Sequence, residues 1–154
     1  MILITGGQAQ GKRAFWERKI TSGEREASEI TGSWSRGSQT SFDEFLHSPC
    51  ACELHLFIRR LLLEDPSLNA PDWVYGTMEK KNGCRMPDRA VLTERLFKAC
   101  PGRVLVTDEI GLGIVPLDPF EREYREETGR ICCLLAAQSQ QVWRVACGLG
   151  QRLK

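Results

Sequence analysis

The sequence predicts an α/β domain built on a mainly parallel sheet, and three observations carry that expectation. The chain opens on a continuous apolar run, Ile2-Leu3-Ile4-Thr5, that passes straight into a glycine-rich loop ending in lysine. A second run, Arg103-Val104-Leu105-Val106-Thr107, ends in the acidic pair Asp108-Glu109. Helical patterns lie between and after these runs, and strands that alternate with helices point to parallel strands joined by helical crossovers.

Taken in order, Ile2 to Thr5 is short, β-branched and closed by Gly6-Gly7, as a buried parallel strand should be. A helix follows from about Lys12 to Ile20 and ends near Gly23. Glu29-Ile30-Thr31 reads as a second short strand, and 32–39, rich in Ser, Gly and Arg, as an exposed loop. Ser41-Phe42-Asp43-Glu44 has the form of a capping box for a short helix. Ser48-Pro49 reads as the cap and first turn of the next helix, whose apolar face is Leu54, Phe57, Ile58, Leu61 and Leu62. From Asp65 to Gly83 the chain is mostly loop with a helical turn around Pro71 to Tyr75, and a further helix runs from about Pro87 to Ala99. Asp118-Pro119-Phe120-Glu121 caps a long helix to about Gln140, interrupted or bent at Gly129. Val142 to Cys147 is expected as the final strand, closed by Gly148.

The chain has 154 residues, 42% of them hydrophobic and 27% charged, which is the size and composition of one globular domain over 1–154. A formal net charge of +1 supplies no field for nucleic acid. No run approaches the ~18 apolar residues of a membrane span. The seven cysteines show no Cys-x-x-Cys pair and no zinc spacing. With no export signal at the start, they read as reduced thiols in a cytoplasmic protein.

Gly6-Gly7-Gln8-Ala9-Gln10-Gly11-Lys12 matches G-x-x-x-x-G-K between a strand and a helix, the setting of a phosphate-binding loop. Glycines let main-chain amides turn toward a phosphate, the helix start adds partial positive charge, and Lys12 adds a full one. The position after the lysine ordinarily offers a hydroxyl to Mg²⁺, and here it is Arg13. A guanidinium cannot ligate a cation, so Arg13 either contacts phosphate or points to solvent. Asp108 and Glu109, at the carboxyl end of a strand, either hold Mg²⁺ and orient a reacting hydroxyl or cap the following turn. Gly6 to Arg13 are therefore the candidate nucleotide-binding residues. Lys12, Asp108 and Glu109 are candidate catalytic residues, and Asp108 is the candidate Mg²⁺ ligand.

Three stretches together resemble the adenosylcobinamide kinase / adenosylcobinamide-phosphate guanylyltransferase family. Ile2 to Lys12 is similar to the family's strand and G-G-x-x-x-G-K loop. Val104 to Pro116 is similar to its V-T-N-E-V-G-x-G-I-V-P signature, with Asp108 where Asn is usual. Phe120 to Gln138, with Arg122, Arg125, Gly129 and Arg130, is similar to its R-x-F-R-D-x-x-G-R-x-N-x-x-L-A helix, and the tail from Val142 to Lys154 also matches. The resemblance implies a P-loop NTPase-like three-layer sandwich, a homo-oligomer, and nucleotide and corrinoid as substrates. It implies phosphorylation of adenosylcobinamide by ATP or GTP with Mg²⁺. It also implies GMP transfer from GTP to the resulting phosphate through a guanylylated histidine.

The family's R-I-x-x-H-x-x-x-R-P segment has no counterpart in 32–49. The chain has two histidines. His47 lies near that region without the flanking arginines, and His55 carries a His-x-x-x-Arg spacing with Arg59 on the amphipathic helix. His55 is thus a candidate nucleophile, and the edge of a packed face is its other reading. Arg122, Arg125 and Arg130 either face an anion or pair with the interleaved glutamates of their own helix. The alternative to an enzyme is a nucleotide-binding regulatory or partner subunit with reduced catalysis. A third reading is a structural α/β domain whose loop holds a stray anion.

Overall fold

The computed structural model describes residues 1–22, 32–76 and 83–154. Strand β1 (Ile2–Thr5) lies in the middle of a six-stranded sheet of order β2-β3-β4-β1-β5-β6. The others are β2 (Ser35–Arg36), β3 (Cys50–Cys52), β4 (Val104–Val106), β5 (Gln141–Ala146) and β6 (Leu149–Arg152). All neighbours pair in parallel except β5 and β6. Ile2, Leu3 and Ile4 stand opposite Val104, Leu105 and Val106 on one side, and opposite Gln141, Val142 and Trp143 on the other.

The pleat of these strands sorts the core into two layers. Ile2, Ile4, Val104, Val106, Cys52 and Val145 point to one face, where Phe15 and Trp16 of α1 (Lys12–Thr21) cover them. Leu3, Leu105, Ala51 and Val142 point to the other, which holds the larger core. That core is built by α2 (Phe42–His47), α3 (Leu54–Leu62), α4 (Arg89–Ala99) and α5 (Pro119–Gln138). The result is the helix–sheet–helix sandwich that the sequence leads one to expect.

Local chemistry explains most boundaries. Ser41 Oγ accepts the Glu44 amide at the start of α2, as a capping box requires. Asp88 caps α4 by accepting the Val91 amide, so that helix begins at Arg89 and not at Pro87. Asp118 caps α5, with Pro119 in its first turn, while Glu121 pairs with Arg59 of α3 at 2.9 Å. The buried Glu127 of α5 takes a fork of hydrogen bonds from Arg89, tying α5 to α4. The expected turn around Pro71 to Tyr75 is a 3₁₀ turn at Asp72–Val74, preceded by another at Pro66–Leu68.

The structure corrects four expectations. Ser48-Pro49 does not begin a helix: Ser48 Oγ donates to the Cys50 carbonyl, Pro49 O accepts the Val104 amide, and β3 follows. The loop over 32–39 contains the short edge strand β2. Helix α5 runs through Gly129 without interruption, because its neighbours Thr128 and Ile131 are buried while position 129 faces open space. Strand β5 is not the last: Cys147 (φ 50°) and Gly148 (φ 77°) turn the chain into β6. The strand expected at Glu29 to Thr31 lies outside the described residues.

Candidate active site

The chain leaves β1 at the centre of the sheet, between β4 and β5, and this is where the glycine-rich loop begins. Ligands of open parallel sheets bind at such points, beyond the carboxyl ends of the strands. Gly6 has φ 149°, and a Cβ there would lie 2.2 Å from the Val145 carbonyl oxygen, so only glycine lets the loop pass this close to β5. Ala9 (φ 57°) and Gly11 (φ 77°) then turn the chain back on itself. Gly11 is the N-cap of α1, with no side chain capping the helix and no acidic residue in its first turn. The first amides of α1 have no carbonyl of their own helix to bond, and they carry the helix's partial positive charge.

Lys12 is buried in this loop. Its ammonium donates to the carbonyls of Gly7 (2.6 Å) and Gly6 (3.2 Å) and pairs with Asp108 Oδ1 at 2.6 Å. Asp108 also faces α3. Its amide donates to His55 Nδ1 at 3.2 Å, and its Oδ2 lies 3.7 Å from His55 Nε2. Burial holds the His55 imidazole below its ordinary pKa, against the pull of Asp108. Lys12, Asp108 and His55 share a cleft of about 580 Å³ with Gln8 to Arg13, and with Arg36 and Glu53 on its far wall.

Glu109 goes the other way. Its carboxylate takes both arms of the Arg144 guanidinium, at 3.0 and 2.9 Å, and the Thr5 hydroxyl lies 3.4 Å from it. It borders a second cleft, of about 500 Å³, beside Gly7 and Gln10 and rimmed by the exposed Leu112 and Leu149. Two successive carboxylates thus serve opposite flanks of the loop. Arg13 and Cys52 both line the first cleft, and burial raises the pKa of the Cys52 thiol.

His47 is exposed. Its Nδ1 contacts the Asp43 carbonyl at 2.9 Å, on α2 ahead of β3 and so at the amino end of the sheet, away from the loop. Arg122 donates to the carbonyls of Pro116 and Leu117, and Arg125 to that of Ile114. Those arginines tie down the loop over 111–117, whereas Arg130 pairs with Glu126 of its own helix. Trp34 donates to Glu17, and Trp73 packs edge-on against Phe42.

Sequence reasoning missed Glu53, Arg36 and Gln10's second role. Glu53 sits in the left-handed region at φ 62° just before α3, and Arg36 grips its carboxylate at 2.7 and 3.0 Å. Gln10 clamps the phosphate loop to the β5–β6 turn: its side chain accepts the Cys147 amide at 2.6 Å and its carbonyl the Gly148 amide at 2.9 Å. No periodicity announces either feature, since both are contacts between segments far apart in the chain. Among the described residues, no group of three or more His, Cys, Asp or Glu side chains is placed to hold a metal ion, and no helix is long and apolar enough to cross a membrane.

Comparison with known proteins returns one family. The family model described as cobinamide kinase / cobinamide phosphate guanyltransferase matches residues 61–153. The bifunctional adenosylcobalamin biosynthesis protein CobU of Salmonella typhimurium (strain LT2) is 36% identical over 88 residues, which are 56% of this chain and 46% of that protein. The protein of the same name from Escherichia coli (strain K12) is 34% identical over 99 residues, 63% of this chain and 52% of the relative. The chain therefore spans about half the length of the curated relatives it matches.

Proposed function

The chain belongs to the cobinamide kinase / cobinamide phosphate guanyltransferase family, and on that premise we propose that it transfers the terminal phosphate of ATP or GTP to the hydroxyl of a cobinamide. One observation supports this most: Lys12 and Asp108 converge at 2.6 Å over the uncapped start of α1, at the carboxyl ends of two adjacent parallel strands. An anion entering the loop meets the amides of Gly7 to Lys12 and competes with the Gly6 and Gly7 carbonyls for the Lys12 ammonium. Lys12 then stabilises charge on the transferred phosphoryl group. Asp108, freed from Lys12, accepts the proton of the attacking hydroxyl. One O–P bond forms on the acceptor, the bond to the β-phosphate breaks, and a nucleoside diphosphate leaves.

Mg²⁺ commonly rides on nucleotide phosphates with one or two carboxylates and several waters, so a full protein cage is not needed. Asp108 is the carboxylate this chain offers to such an ion, which would neutralise phosphate charge when bound. Arg13 stands where a hydroxyl ligand is usual, and a guanidinium cannot ligate a cation. That observation favours one rival, a nucleotide-binding subunit with reduced catalysis.

The guanylyl-transfer half belongs to the same reading through the relatives, whose names call them bifunctional. The geometry supports it less than the kinase half, because His47 is remote from the loop and His55 is buried with Nδ1 already engaged. A homo-oligomer and a cytoplasmic setting are further parts of the proposal. Leu112, Ile114, Val115 and Leu117, all exposed on one loop, support the former.

The test is transfer of γ-labelled phosphate to adenosylcobinamide with Mg²⁺, beside α-labelled GTP. Labelled cobinamide phosphate is expected. Tight GTP binding without any transfer would leave the non-catalytic subunit as the better reading. Label from the α-phosphate that survives denaturation would establish the covalent guanylyl route.

A further inference from the structure

We infer that His55 is a positioning residue that sets the backbone from which Asp108 presents its carboxylate, and that it is not a nucleophile; the inference rests on the phosphotransfer reading of the site. Thr107 donates its amide to Ile4 O and Glu109 donates to Gly6 O, so these two residues continue the pairing of β4 with the β1 side. By the alternation of a strand, the amide of Asp108 faces the opposite neighbour, β3. There the ladder has run out. β3 pairs with β4 through Cys50 and Ala51, ends at Cys52, and the chain turns through left-handed Glu53 into α3. A part-buried amide at that place needs another acceptor. His55 supplies it, with Nδ1 at 3.2 Å in place of the missing strand carbonyl.

That bond decides the rest of the ring. A neutral imidazole that accepts at Nδ1 carries its proton on Nε2. Nε2 lies 3.7 Å from Asp108 Oδ2, beyond hydrogen-bond reach, and Lys12 holds Oδ1 at 2.6 Å. The ring thus fixes the main chain of Asp108, while the Lys12 ammonium holds its carboxylate in the resting site. The attacking lone pair a nucleophile would need is the one already used. The Arg36–Glu53 pair fixes the turn into α3 and so the height of His55.

The experiment uses the full chain with two substitutions at one site. His55→Asn keeps a short acceptor near the place of Nδ1, and His55→Leu removes it. The expected result is a kcat for γ-phosphate transfer roughly 30- to 100-fold lower in His55→Leu, the order of cost for a reacting group misplaced by about an ångström. KM for the nucleotide should stay within about twofold, and His55→Asn should recover most of the rate. Equal loss in both folded variants overturns the inference in favour of ring chemistry, and an unchanged rate in His55→Leu overturns it in favour of a spectator. Should His55→Leu fail to fold, His55→Asn alone decides, since a nucleophile cannot be replaced by an amide. Nitrogen NMR of the wild-type ring gives a readout independent of turnover. Nδ1 bare and Nε2 protonated is expected, with the Asp108 amide resonance displaced in His55→Leu and near its wild-type place in His55→Asn. A wild-type protein that transfers no phosphate but shows this tautomer refutes the phosphotransfer reading and leaves the His55–Asp108 bond standing. The opposite tautomer refutes the positioning inference whatever the activity.

Discussion

The flank of the phosphate loop formed by β3, β4 and α3 buries its cation, and the flank formed by β5 and β6 leaves its cation in water. On the first, Lys12, Asp108 and His55 meet with side chains 7%, 21% and 10% exposed. On the second, Arg144 is 52% exposed, while the Glu109 it grips is 21% exposed, the same as Asp108. Both flanks carry a cation against a carboxylate at similar distance, and the two carboxylates are consecutive in the chain. The difference teaches that sequence adjacency and contact distance do not rank ionic groups. Shielding from water does, because charges interact more strongly where the effective dielectric is low. The buried flank is accordingly the one proposed to do chemistry.

Asp108→Asn is the sharpest way to break that contrast. The amide keeps the shape but neither neutralises Lys12 nor accepts a proton. A kcat at least about 100-fold lower is expected, the usual scale for loss of a general base, with nucleotide affinity changed far less. If Glu109→Gln cost as much while Asp108→Asn did not, the roles of the two flanks would be reversed. Lys12→Ala comes next, with nucleotide affinity about 100-fold weaker by titration calorimetry, near 3 kcal/mol. Unchanged affinity would mean that the loop does not grip polyphosphate at all.

How much of this was legible follows from how local each signal is. β1, α1, β4 and α5 announce themselves through apolar runs, a capping serine or aspartate, and glycines at turns. The loop Gly6 to Lys12 and the pair Asp108-Glu109 were legible for the same reason. β3 was not: three residues, Cys50 to Cys52, are too short for any period, and what makes them a strand is pairing with Val104 and Leu105, about a third of the chain away. The β5–β6 hairpin was hidden because its turn is Cys147-Gly148, not one of the usual Asn-Gly or Asp-Gly pairs. Gly129 misled in the other direction, since a glycine on the outer face of a well-packed helix is tolerated. At the site, the spacing of His55 and Arg59 suggested a motif, but Arg59 turns to Glu121 and His55 to Asp108. Nothing in the sequence separates Asp108 from Glu109. The pleat does that, and it depends on register.

A smaller effect sharpens the contrast through pH. Burial alone would raise the pKa of Glu53, but the hydrogen bonds from Ser38 and Arg36 outweigh it and hold the carboxyl below its ordinary value. A carboxylate depressed in the folded state contributes stability above its unfolded pKa of about 4.3 and loses it as pH falls through the folded value. The melting temperature of wild type should therefore exceed that of Glu53→Gln at neutral pH, and the gap should close on acidification below about 4. A gap that stayed constant down to strong acid would mean that Glu53 acts by shape and not by charge.

The smallest effect is expected at Arg144→Ala. The pair it removes is a two-armed one, which is the best geometry available to a surface ion pair. Yet water competes for the exposed guanidinium, and Glu109 keeps its main-chain bond to Gly6 and its neighbour Thr5. Exposed pairs contribute little to stability, so for a chain of this size the melting temperature should fall by no more than about 2–4 °C. The difference should shrink further in about 1 M salt, where screening reaches a few ångströms. Phosphate transfer should stay within about fivefold of wild type, under 1 kcal/mol. A tenfold or greater loss of transfer with an unchanged melting temperature would carry the opposite lesson. Exposure would then reflect a wall awaiting its ligand, and the cleft between Glu109, Arg144 and Leu149 would have to be counted as part of the site.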